Sequence, residues 1–210
     1  VKDFLLTHSK STTTAPQRLI IGISGASGVI YGVRLLELLK PTDIETHVVI
    51  SSSAKLTLSL ETDYTLNDVH ELADYVYPGK DIGAAISSGS FRTIGMIVAP
   101  CSIRSMSEIA SGMTTSLLTR AADVVLKERR RLVLMLRETP LHLGHLKHMT
   151  EVTEAGAVIA PPVPAFYARP TSLDDMINHS LGRVLDLFDI EVNAVHRWRE
   201  ASQQNDCPED

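Results

Sequence analysis

The sequence predicts an α/β fold with a mostly parallel sheet, on two observations. From Arg18 onward, short apolar runs alternate with segments of helical periodicity, an order that suits parallel neighbours, which need crossover connections. Clusters of Gly, Ser, Pro and Arg stand at the ends of the runs, where an open parallel sheet gathers its binding loops.

The elements follow in order. Residues 19–23 form an apolar strand, a Gly/Ser turn follows, and 29–40 has apolar residues at helical spacing. The unit repeats with a strand at 47–50, a serine turn at 51–53 and a helix over 54–60. Residues 96–99 read as a buried strand before Pro100-Cys101-Ser102, with helices over 106–110 and 117–127. Strands at 132–136 and 157–160, a helix at about 141–155 between them, and an amphipathic helix over 173–188 complete the pattern. The prediction is a Rossmann-like three-layer sandwich with helices on both faces. One domain is expected over 18–200, with a flexible leader at 1–17 and a flexible polar tail at 201–210.

Composition narrows the function classes. With 210 residues, 44% of them hydrophobic, the chain can bury a full core without disulfides or metals. Twenty basic against 25 acidic residues leave a net charge of −5, so no positive field draws a nucleic acid. The two cysteines, Cys101 and Cys207, stand far apart, which fits a reduced compartment such as the cytosol. No apolar stretch approaches the roughly 20 residues needed to span a bilayer, so no membrane partner is expected.

The loop Gly22-Ile23-Ser24-Gly25-Ala26-Ser27-Gly28 follows a strand and opens a helix. Its N–H groups and the helix dipole can face a phosphate. It is not the dinucleotide fingerprint, which needs Gly where Ser24 and Ser27 stand, and the second strand ends in serines rather than an acid. Hydroxyls on both loops suit a mononucleotide such as FMN; the plainer alternative is a tight turn packing helix on strand. Gly22-x-Ser24-x-Ala26 falls one residue short of a nucleophile elbow, which keeps a serine hydrolase in play. His142, His145 and His148 could complete a triad or simply form one helix face. They do not match the H-E-x-x-H metal pattern.

Arg120 and Lys127 lie seven residues apart, about two helical turns, so they share a face and could reach one dianion. Arg129 to Arg131 read as cations complementing a helix end. Arg137-Glu138 follows a strand at the edge where chemistry is expected, and the proline-stiffened run 161–167 sets Tyr167 in place.

Taken together and in order, these stretches resemble the UbiX flavin prenyltransferase family. The resemblance runs from Arg18 to Trp198 and rests on 22–28, 59–63, 86–91, 100–102, 120–130, 137–140 and 161–167. It implies a flavoprotein-type fold and a metal-independent transferase that joins the dimethylallyl group of dimethylallyl phosphate to N5 and C6 of reduced FMN. It also implies a homo-oligomer, typically a dodecamer, with FMN at a subunit junction and a UbiD-type decarboxylase receiving the product. Carried over by position, Gly25, Ala26, Ser27, Ser51, Ser102, Ile103, Arg104, Ser105 and Arg137 are the expected FMN contacts. Arg120, Lys127, Tyr167 and Arg183 are the expected prenyl phosphate contacts. Ser27, Glu61, Lys127 and Glu138 are the expected catalytic groups, with Glu138 taking a proton from the flavin carbon through Ser27.

The chain has no D-D-x-x-D, since Asp174-Asp175 is followed by Met176, so cations rather than Mg²⁺ are expected to meet the phosphate. It departs from the family at Ser52, where many relatives carry Lys. A flavin-dependent decarboxylase of the cysteine-peptide type and a flavin carrier are the alternatives. The partner's pathway, quinone synthesis or removal of phenolic acids, stays open.

Overall fold

The structure is a computed structural model that describes residues 16–192. The expected leader and tail lie largely or wholly outside the described residues. Six strands, β1 (Gln17–Ile23), β2 (Ile44–Ile50), β3 (Tyr75–Tyr77), β4 (Gly95–Cys101), β5 (Arg131–Leu136) and β6 (Val158–Ile159), form one sheet. The order is β3-β2-β1-β4-β5-β6, and every neighbouring pair is parallel. The helices are α1 (Ile30–Leu39), α2 (Ser52–Glu61), α3 (Leu66–Leu72), α4 (Ile103–Ala110), α5 (Leu117–Lys127), α6 (Leu143–Glu154) and α7 (Leu173–Asp186).

Alternation along each strand sorts the core into two layers. Leu19, Ile21, Val48, Ile97, Val133 and Met135 pack with Val33 and Leu36 of α1, Leu58 of α2, Val69 of α3 and Leu181 of α7. Ile20, Val49, Met96, Val98, Leu132 and Leu134 pack on the other side with Met106 of α4, Leu118 and Val125 of α5 and Val152 of α6. Both faces are therefore covered, which is why the strands read as continuous apolar runs. Ile97, fully buried in a central strand, illustrates the energetics: truncating such a side chain to Ala costs roughly 2–5 kcal/mol. Gly32 stands inside α1 because a Cβ there would lie 2.6 Å from the Ala99 carbonyl oxygen, so its absence lets the helix settle on β4.

Two elements escaped the periodicity. β3 is three residues long and its Tyr75 and Val76 are exposed, too short a run for a period to register. α3 is announced by a capping box instead: Thr65 accepts the Asp68 N–H and Asp68 accepts the Thr65 N–H.

Candidate functional site

In this strand order the chain leaves β1 and β4 toward opposite sides, opening a crevice between their carboxyl ends. Ser24, fully buried, closes the floor of that crevice. Its hydroxyl donates to the Pro100 carbonyl (2.9 Å) and accepts the Ser102 N–H (2.7 Å). The Ser51 N–H donates to Ile23 O and the Arg137 N–H to Cys101 O, each at 2.9 Å. The four loops after β2, β1, β4 and β5 are thus tied at one level.

These loops carry the expected FMN contacts. Ser51 caps α2 by accepting the Ala54 N–H at 3.1 Å, and Ser102 caps α4 by accepting the Ser105 N–H at 3.2 Å. α1 lacks a side-chain cap at Val29. The Glu61 carboxylate supplies one from the end of α2, accepting the N–H groups of Gly28 (2.8 Å) and Val29 (3.3 Å), a favourable charge at a helix N-terminus. Gly25 must be glycine at this spacing, because a Cβ there would lie 2.2 Å from the Ser53 Cβ. Ser27 is exposed on the loop, and its hydroxyl has no protein partner among the described residues. Ile103 is half-buried at the start of α4, while Arg104 extends outward to Glu108 at 2.9 Å.

The Arg137 guanidinium acts on Tyr31, whose phenol is pushed up by burial and drawn partly back by that charge. Glu138, exposed, accepts the N–H of its neighbour Thr139 at 3.0 Å. It makes no hydrogen bond to Ser27 among the described residues. The site thus presents hydroxyls, helix N-termini and one guanidinium along a single edge, a donor set that fits a phosphate and a ribityl chain. Cys101 is buried at the end of β4, and burial pushes its thiol up to about 12, so it packs as a neutral side chain.

The remaining expected residues lie elsewhere. α5 begins at the carboxyl edge, where the Leu117 N–H donates to Gly79 O, and ends just before β5 starts at Arg131. Arg120 is near its beginning, paired with Asp123 at 2.7 Å, and Lys127 is its last residue, paired with Glu128. The Lys127 ammonium holds the Glu128 carboxyl below its ordinary range. Arg137 stands about 20 Å from Arg131 along β5, at roughly 3.3 Å per residue. One chain therefore does not bring Lys127 to the loops after β1 and β4.

Tyr167, in a 3₁₀ turn at Phe166–Ala168, meets His179 of α7. Arg183 follows one turn later and donates to Asp186 at 2.6 Å. α7 runs toward the amino ends of the strands, where Phe188 packs beside Gly95 and Arg131.

Two groups that lie against expected residues were not singled out from the sequence. One is His179, whose buried imidazole holds Tyr167. The other is Arg130, expected merely to complement a helix end; it donates to Gly89 O and Phe91 O, each at 2.7 Å, and pins that turn beside Lys127. The α6 histidines meet backbone and side chains of α6 and α4. His142 caps the helix by accepting the Gly144 N–H, its ring lies 3.6 Å from that of His145, and His148 bonds Ser107 of α4. None reaches Ser24 or Ser27, so the hydrolase alternative has no triad among the described residues. No group of three His, Cys, Asp or Glu among the described residues could hold a metal ion, and no helix among them is long and apolar enough to cross a membrane.

Fold and site define a class: a doubly wound parallel α/β protein with a mononucleotide cradle at its switch point. A family model described as Flavoprotein matches residues 7–187. The chain is 62% identical to the flavin prenyltransferase UbiX of Escherichia coli K12 over 188 residues, 88% of this chain and all of that one. It is 59% identical to UbiX of Thauera aromatica over 181 residues, 86% of this chain and 93% of that one. Among solved structures, AnUbiX (PadA1) in complex with FMN and dimethylallyl pyrophosphate aligns with TM-score 0.87 and 49% identity, covering 89% of this chain and 99% of that one. A dodecameric FMN-dependent UbiX-like decarboxylase from Escherichia coli O157:H7 aligns with TM-score 0.86 and 47% identity, covering 88% and 100%. The chain belongs to the UbiX flavin prenyltransferase family of flavoproteins.

Proposed function

We propose that this protein joins the dimethylallyl group of dimethylallyl phosphate to N5 and C6 of reduced FMN, in the cytoplasm, and passes the product to a UbiD-type decarboxylase. The observation that carries the reading is the close match, in fold and sequence, to a relative solved with FMN and a prenyl donor. Reduced FMN supplies the electron-rich nitrogen and carbon that take the prenyl group.

The chain's own residues do the rest. Backbone N–H groups and hydroxyls at Gly25, Ala26, Ser27, Ser51 and Ser102 to Ser105, with Arg137, hold the flavin. Glu61 keeps the first loop in place through Gly28 and Val29. Breaking the allylic C–O bond puts positive charge on the prenyl carbon and negative charge on the departing phosphate. Arg120, Lys127, Tyr167 and Arg183 stabilise that phosphate without a bridging metal. Glu138 takes the proton lost from the ring carbon, relayed by the Ser27 hydroxyl.

Because Lys127 and the cradle lie at opposite edges of one sheet, the reading requires neighbouring copies to complete each site. It therefore includes a homo-oligomer, and the dodecameric relative supports it.

The test is anaerobic. Protein, reduced FMN and dimethylallyl phosphate are mixed with a chelator, and the extracted flavin is weighed by mass spectrometry. A gain of one prenyl unit is expected; bound but unaltered FMN under conditions that work for a known relative would defeat the proposal.

A further inference from the structure

Several cations of this molecule lean on an acid, among them Arg104 on Glu108, Arg120 on Asp123 and Arg183 on Asp186. Arg137 does not. Its backbone N–H is tied to Cys101 O at the level of the cradle, while its guanidinium makes no hydrogen bond or ion pair among the described residues. A second unpaired donor comes from the other side of the crevice. Tyr31, in the first turn of α1, makes no hydrogen bond through its hydroxyl among the described residues.

The place of Tyr31 is fixed by its neighbours. One edge of its ring lies against Gly28, where a Cβ would come within 3.1 Å of Cδ2 and 3.3 Å of Cε2, and the ring packs on the core layer beneath α1. The following residue, Gly32, seats the helix over the Ala99 carbonyl oxygen of β4. The phenol thus reaches from the first loop into the field of Arg137. Burial pushes it up more than that charge draws it back, so the hydroxyl keeps its proton at neutral pH. A guanidinium cannot accept a hydrogen bond, and the two side chains are not bonded to each other, so each has a donor to spend outside the chain.

We infer that Tyr31 is a further flavin-binding residue: its O–H and the Arg137 guanidinium converge on one acceptor oxygen of FMN. That oxygen belongs to the phosphate or to a carbonyl of the ring system, which offer the same acceptor chemistry. The inference rests on the reading that the cradle holds FMN.

The experiment is a double-mutant cycle on the full chain, reading dissociation constants for oxidised FMN and riboflavin by fluorescence titration, with KM for dimethylallyl phosphate at saturating FMN beside them. Tyr31→Phe keeps the ring against Gly28 and removes only the hydroxyl. It is expected to weaken FMN binding about fivefold, the scale of one lost hydrogen bond, and to hold KM within about twofold. In an Arg137→Gln background the Tyr31→Phe loss is expected to shrink below about twofold, because the two donors no longer fix a common oxygen. Riboflavin tells the oxygens apart: an equal loss for both flavins puts the contact on the ring system, and a loss confined to FMN puts it on the phosphate.

FMN affinity unchanged by Tyr31→Phe, while the parent chain binds FMN, would overturn the inference and leave the proposed function standing. So would a loss that persists undiminished without Arg137, or one that appears in KM and not in FMN affinity. The melting temperature without flavin should not move, since the hydroxyl has no partner to lose; a clear drop would reveal a partner within the chain and count against the inference. If the parent chain binds neither flavin, the reading of the cradle falls, and this inference with it.

Discussion

The carboxyl edge of the sheet and the helical cations on α5 and α7 are built on opposite principles. The cradle is main chain held at short range: the Ser24 hydroxyl binds Pro100 O and the Ser102 N–H, and the Ser51 and Arg137 N–H groups bind the neighbouring strand ends. The proposed phosphate contacts are long side chains on helices, and three of the cations lean on a neighbouring acid: Arg120 on Asp123, Lys127 on Glu128 and Arg183 on Asp186. Exposed pairs of this kind contribute roughly 0–1 kcal/mol, so an arriving dianion can displace the carboxylates cheaply. The flavin side is preorganised, whereas the phosphate side is held in readiness by weak internal partners.

The sharpest way to break this comparison is to separate the two halves between subunits. Gly25→Val drives a side chain into Ser53, and Lys127→Ala removes a proposed phosphate contact; each is expected to lower prenylation about a hundredfold or more. Co-refolded mixtures of the two variants should regain a sizeable fraction of activity, because some junctions then combine an intact cradle with an intact lysine. Mixtures no more active than either parent would place both halves of a site in one chain.

Ser24→Ala probes the cradle alone. It strips a buried hydroxyl from both the Pro100 carbonyl and the Ser102 N–H, and a loss of roughly 1–3 kcal/mol is expected in denaturant unfolding. The readied cations are probed by Glu128→Gln, which frees Lys127 of its carboxylate. KM for dimethylallyl phosphate should fall about twofold to threefold, and by less at high salt.

The smallest effect concerns stability and pH. His47 is buried between Tyr75, Tyr77 and Phe91, and burial lowers its pKa, although Glu45 opposes the shift. The folded chain therefore binds fewer protons than the unfolded one below about pH 6.5, and stability should decline as pH falls from there toward the lower folded pKa. His47→Gln should flatten the melting temperature across that window. An unchanged slope would assign the acid sensitivity to other groups.

Much of this was legible in the sequence because the relevant physics is local. Apolar runs, serine caps and loop glycines announce themselves within a few residues, so five of the six strands and the loops bearing Gly25, Ser51 and Ser102 could be placed before any coordinates. What stayed hidden depends on contacts far along the chain. Nothing near Arg130 says that it will grip carbonyls about 40 residues earlier, and nothing near Ser24 says that it will stitch β1 to β4. α3 is a different case, since Thr65-x-x-Asp68 could have disclosed its start. The opposed placement of Lys127 and the cradle follows from the direction of α5 across the sheet, which motif order alone does not encode.

The grip of Arg130 has a consequence for change over time. A guanidinium that holds Gly89 O and Phe91 O is indifferent to which side chains those residues carry. Ser88 and Ser90 can be exchanged, by mutation or by an engineer seeking a different donor, while the turn stays where it is. Gly89 is the tighter position, because a Cβ there would meet the Glu128 carboxylate and require that flexible side chain to swing away. The turn is a place where new specificity can be tried at little risk to the fold.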